Sequence, residues 1–145
     1  MTTTTLKWLK KNDYNFQDLN YQGNYGNTAL MKASREGNSD VVFDLLNANA
    51  NINMKNIDGN TALWLACFSE NPEVVSMLIN SGIEVDTINA NGTTSLMYAA
   101  SSGKYEMVKI LLEAGANPKI KSPDDFTALD LAVTPKIFKT LRQLE

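Results

Sequence analysis

One short block of residues appears four times along this chain at a fixed interval. Gly26-Asn27-Thr28-Ala29-Leu30 recurs as Gly59-Asn60-Thr61-Ala62-Leu63 and as Gly92-Thr93-Thr94-Ser95-Leu96, and returns without its glycine as Phe126-Thr127-Ala128-Leu129. Thr28, Thr61, Thr94 and Thr127 succeed one another at a constant offset of 33. The same offset joins Ala33, Ala66, Ala99 and Ala132, then Val42, Val75 and Val108, and then Leu45, Leu78 and Leu111. Units repeated at such a period bury their apolar faces against their neighbours rather than around one central core, so the expected architecture is a stacked solenoid.

Within a unit the apolar spacing is helical, as in Val41, Val42, Leu45 and Leu46, and a shorter helix is predicted before it from about Thr28 to Arg35. Each unit is thus two antiparallel helices. Gly37 and Gly103 read as helix stops, where positive φ is needed. In the second unit Asn71 is expected to take the left-handed conformation, with Pro72 opening the next helix. Polar stretches after each second helix lead to the next glycine and are predicted to project as fingers. Asn24, Asn27, Asn56, Asn60, Asn89 and Asn91 fit the turns that these fingers require.

Thr-Ala-Leu-Met-Lys-Ala (28–33), Thr-Ala-Leu-Trp-Leu-Ala (61–66), Thr-Ser-Leu-Met-Tyr-Ala (94–99) and Thr-Ala-Leu-Asp-Leu-Ala (127–132) resemble the Thr-Pro-Leu-His-x-Ala signature of the ankyrin repeat. The resemblance implies a mainly α fold, an ankyrin-repeat solenoid of stacked helix-turn-helix units with projecting β-hairpin-like finger loops. It divides a single domain, 1–145, into an N-terminal cap or partial repeat (1–22), three repeats (23–55, 56–88 and 89–121) and a shortened C-terminal capping repeat (122–145).

Two departures from the signature stand out. Ala29, Ala62, Ser95 and Ala128 replace proline, and Met31, Trp64, Met97 and Asp130 replace histidine. The family's threonine-to-histidine hydrogen bond is therefore lost, and each threonine is expected to cap its helix through its own hydroxyl, with some loss of local stability. At the end of the chain, Phe138 and Leu141 follow Val108 and Leu111 at an offset of 30 instead of 33, which predicts a deletion of three positions around Thr134 and Pro135. Lys136, Lys139, Arg142 and Gln143 would supply a polar outer face. At the start, Thr5 is predicted to cap a helix from Leu6 to Lys11, with Met1 to Thr4 frayed. Two modified ends predict a complete small protein.

The chain has no histidine and a single cysteine, Cys67, next to the signature alanine Ala66. Cys67 is expected to be a small buried apolar residue, inert as a thiol. No phosphate loop, paired-cysteine motif or nucleophile elbow is present, and Asp124-Asp125 read as a solvated turn. The expectation is no catalytic residue, no metal and no cofactor. Between Glu36 and Pro118 ten acids face only Lys55, Lys104 and Lys109, an imbalance that disfavours nucleic acid. No apolar run approaches membrane-spanning length and no signal-peptide core is seen, so the chain is expected to be cytoplasmic, off the membrane and monomeric when unbound.

The resemblance further implies that the concave surface, made of fingers and first-helix faces, binds another protein, as an adaptor or inhibitor. The alternative is a regulatory or targeting module derived from a larger multidomain protein or enzyme. Carried over by register, the binding positions are Tyr25, Asn27, Arg35 and Glu36, then Ile57, Asp58, Asn60 and Phe68, then Asn91, with Tyr98 beside them. Tyr25, Arg35, Phe68 and Tyr98 are the residue types that dominate binding energy, about 2 kcal/mol or more at a hot spot. Trp64 and Phe68 share a helix face by their i, i+4 spacing, and the sequence leaves both between core and interface. Tyr25, at a finger tip with nothing of its own repeat to pack on, is expected to be exposed.

Overall fold

The computed structural model describes residues 1–145 and contains nine α-helices and no β-strand. They are α1 (Thr3–Lys11), α2 (Ala29–Glu36), α3 (Ser39–Asn47), α4 (Ala62–Ser69), α5 (Pro72–Asn80), α6 (Ser95–Ser101), α7 (Tyr105–Glu113), α8 (Ala128–Leu131) and α9 (Pro135–Arg142). Helices α2, α4, α6 and α8 stack as an inner row, while α1, α3, α5, α7 and α9 stack as an outer row. The two rows close on the in-register residues: Leu30, Leu63 and Leu96, the alanines 33, 66 and 99, Val42, Val75 and Val108, and Leu45, Leu78 and Leu111 are all buried. The period of the sequence is therefore the period of the core.

The fingers are closed loops without strand pairing. Each is shut by two backbone bonds at 2.8–3.0 Å: one from Gly23 N–H to Asn27 O, Asn56 to Asn60, Asn89 to Thr93 and Ser122 to Phe126, and one from the N–H of Gly26, Gly59, Gly92 and Asp125 back to the carbonyl of Gly23, Asn56, Asn89 and Ser122. Neighbouring fingers are tied along a rim. Ile57 N–H donates to Tyr25 O and Ala90 N–H to Asp58 O. Beside these, Asn56 Nδ2 donates to Asn27 Oδ1 and Asn89 Nδ2 to Asn60 Oδ1. A second rim of side-chain acceptors runs along the other loops: Asn20, Asn53 and Asp86 accept from the backbone N–H of Asn51, Glu84 and Asn117. The abundant asparagines are thus rungs between repeats as well as turn formers. The finger rim stops at the last interval, where proline at 123 has no N–H to offer Asn91. Gly92 is needed there, because a Cβ at that position, with φ +73°, would lie 2.5 Å from Pro123 Cγ.

Helix termini depart from the sequence reading at the start of α1 and at both ends of α4. Thr2, not Thr5, caps α1 and accepts from Thr5 N–H, so the first residues are ordered rather than frayed. Thr5 is fully buried, with its hydroxyl donating to Asp44 on α3. Glu70, not Asn71, takes the left-handed conformation after α4, at φ 55°. It stands one full repeat after Gly37, and Asn71 instead caps α5 by accepting from Val74 N–H. Thr28, Thr94 and Thr127 cap their helices as expected, but Thr61 makes no side-chain cap bond.

In the last repeat the shortening falls on the inner helix. Helix α8 has 4 residues and ends at Ala132, whose extended backbone carries the chain directly to Val133, where the N–H donates to Ala100 O. The outer helix α9 keeps a full length, burying Ile137 and Leu141 and leaving Lys136, Lys139, Arg142 and Gln143 exposed. Two of the lost signature histidines have working replacements. Asp130 accepts from both the N–H and the hydroxyl of Thr127, and Met31 Sδ accepts from Thr28 N–H at 3.5 Å.

Candidate concave binding site

The inner row gives the solenoid a concave face, bounded by the fingers. An aromatic stripe runs across it. Trp64 and Phe68 on α4 stack at 6.3 Å between ring centroids, and Tyr98 on α6 lies 4.4 Å from Trp64. Cations flank the stripe: Arg35 on α2 sits 5.2 Å over the Phe68 ring, and Lys104 lies 5.8 Å from Phe68 and 5.7 Å from Tyr98. Placing a cation over an aromatic face orders both groups by the ring quadrupole.

Burial changes along this stripe. Trp64 is half-buried and its indole Nε1 has no hydrogen-bond partner, while Phe68 remains 44% exposed. Trp64 therefore forms the floor and Phe68 stands up from it. Tyr98 is half-buried at the far end. Tyr25 occupies the tip of the first finger within a 3-10 turn, in a left-handed conformation at φ 59°, and is 70% exposed. Ile57 and Asp58 on the second finger and Asn91 on the third are exposed as well.

Two of the expected contact residues have another role. Asn60 is 6% exposed and its amide oxygen is taken by Asn89, so its side chain is not free for a partner. Asn27 is half-buried, with its side-chain oxygen bonded to Asn56 and its backbone oxygen to Tyr14 Oη. Both belong to the finger rim. Glu36 is exposed but engaged, pairing with Lys32 at 3.4 Å and accepting from Trp8 Nε1 at 3.0 Å. The face is therefore less acidic than the residue count suggests.

Two clefts open on this surface and share Tyr25, Asn27, Arg35 and Phe68. One, of about 550 Å³, lies toward the N-terminal end and is also lined by Tyr14 and Tyr21; the other, of about 380 Å³, runs between the first two fingers over Trp64 and Leu65. Tyr14 and Tyr21 are not legible as site residues because they fall in the stretch between α1 and the first finger, outside the repeat register. The signal available is aromatic density, with Trp8, Tyr14, Phe16, Tyr21 and Tyr25 in close succession. Tyr14 stacks on Trp8 and meets Tyr21 edge-on, filling the place where α2 has no preceding inner helix. Burial, then the neighbouring Tyr21 and Glu36, push its phenol pKa up, so it stays a neutral hydrogen-bond donor to Asn27 O.

Carboxylates and the lone thiol do not gather in threes anywhere in the chain. Cys67 is fully buried on α4, and burial raises its thiol pKa to about 12. What the site offers is shape, aromatic area and a few charges.

A repeated helix pair stacked in two rows, with fingers bordering a concave face, defines a helical-repeat solenoid. The family model for ankyrin repeats (3 copies) matches residues 30–122 and 87–144, together most of the chain, which belongs to the ankyrin-repeat family. Ankyrin repeats are generally protein–protein interaction modules and typically non-catalytic. No similar sequence was found among curated proteins.

Proposed function

We propose that this protein is a non-catalytic adaptor or inhibitor that engages one partner protein through the concave surface around Tyr25, Arg35 and Phe68. The observation that carries this reading is the exposure of Tyr25 and Phe68, one on a finger tip and one on α4, lining the same two clefts with Arg35 between them. Exposed aromatic side chains in water contribute little to the fold. Covered by a partner, each is the kind of group that dominates binding energy, at about 2 kcal/mol or more. Function would consist of occupancy, either blocking a surface of the partner or holding it. A reducing, cytoplasmic setting suits the single unpaired thiol.

Affinity capture from the source cell tests this reading, with Tyr25→Ala/Phe68→Ala as the paired control. A partner retained by the native protein and lost by the double variant supports it. Retention of the same partner by both proteins would place binding elsewhere and overturn it. Neither substitution touches the core, so both proteins should give the same circular dichroism spectrum.

A further inference from the structure

Arg35 stands where the two clefts meet and lines both of them. Of the cations on this face, Lys32 pairs with Glu36 and Lys104 with Glu70, each at 3.4 Å. Arg35 has no carboxylate partner; the remaining ion pair joins Lys121 to Asp125. Its guanidinium is held over Phe68, so the planar fork is already oriented and loses little freedom on taking up an anion. Glu36 does not compete for it, being occupied by Lys32 and the Trp8 indole. Asp58 borders the second cleft and has no cation of its own, so it would repel a polyacidic stretch.

These charges and rings fit one kind of occupant. We infer that the partner presents a peptide segment whose single Asp or Glu carboxylate pairs with the Arg35 guanidinium, while flanking apolar or aromatic side chains cover Phe68 and Tyr25. The inference rests on the concave-face reading above and adds the chemistry of what is recognised. A carboxylate matches the two parallel N–H donors of guanidinium, which makes the pair directional as well as charged.

The test is selection of a phage-displayed random peptide library on the native protein, followed by fluorescence polarisation with the enriched peptides. The expected consensus is one acid among apolar residues. Arg35→Ala should weaken binding roughly tenfold or more, Arg35→Lys by less, and replacing the peptide's Glu by Gln should matter in the native protein but not in Arg35→Ala. Peptides that need Tyr25 and Phe68 but bind Arg35→Ala undiminished, or whose consensus lacks an acid, overturn this inference and leave the concave-face reading standing. Failure to enrich any peptide, or enrichment indifferent to Tyr25→Ala/Phe68→Ala, overturns both.

Discussion

The Asp44 carboxylate on α3 receives the Thr5 hydroxyl of α1 at 2.5 Å, and the same oxygen accepts from the Thr2 hydroxyl at 2.6 Å and the Thr2 N–H at 3.0 Å. The hydrogen bonds from Thr2 and Thr5 hold this carboxyl below its usual pKa of 3.8. A carboxylate whose folded pKa is depressed contributes stability above the unfolded value and loses it as pH falls through the folded value. Docking of α1 should therefore weaken on the acid side of 3.8 while remaining unaffected at neutral pH. Asp44→Asn should remove that acid dependence and loosen α1 at neutral pH, with native and variant converging in acid, read by faster amide exchange over Thr3–Lys11 with the amides of α5 unchanged.

Threonine caps provide an internal comparison. Thr94 accepts from Met97 N–H at 3.1 Å, whereas Thr61 makes no cap bond. Thr94→Val should cost about 1 kcal/mol in urea unfolding, the ordinary value of a lost N-cap. Thr61→Val should cost a small fraction of that. Equal losses at both sites would mean that the hydroxyl of Thr61 contributes to the native state in some other way.

Gly92 and Pro123 should be coupled. Gly92→Ala combines positive φ with a Cβ placed against a ring carbon, and is expected to destabilise by about 2–3 kcal/mol. Pro123→Ala removes the ring carbons that a Cβ at position 92 would meet at 2.5 and 2.6 Å, leaving the backbone nitrogen of residue 123 at 3.8 Å. The double variant should then be less destabilised than Gly92→Ala alone, a non-additivity visible in denaturant midpoints.

Cys67 and Ser34 occupy the same place in successive repeats, and Ala100 takes that place in the next. With its thiol pKa raised to about 12 by burial, Cys67 should react with a maleimide in mild alkali far more slowly in the native protein than in the unfolded chain. Ser34 Oγ is buried without a hydrogen-bond partner. Ser34→Ala should consequently be neutral or stabilising, by up to about 1 kcal/mol in thermal unfolding, since alanine also favours the helix.

The repeat register makes the stacked core legible, because the same residue types must meet the same neighbours in every unit. Leu30, Leu63 and Leu96 need no structure to be placed. Capping is legible where a threonine meets a compatible third residue, as with Asp130, and fails at Thr61, whose third residue is the bulky Trp64. Glu70 escapes the sequence reading because local turn chemistry points to Asn71, while the register points to the position of Gly37. At the site, exposure of Tyr25 follows from its place on a finger. Asn27 and Asn60 cannot be assigned to the rim from spacing alone, since the bonds that bury them run to Asn56 and Asn89 in the next repeat. The Tyr14 and Tyr21 wall of the larger cleft has no counterpart in other repeats, so periodicity carries no information about it.

The interruption of the finger rim at Pro123 makes the solenoid unevenly compliant. Between the first and second fingers, and between the second and third, a backbone rung and an amide rung must both break before the tips can part. At the last interval Thr93 stands where an asparagine stood and Ser122 where its donor stood, and proline removes the backbone rung. The first three fingers are thus tied into one continuous edge, while the fourth is joined to it by neither kind of rung and should part from its neighbour at lower cost.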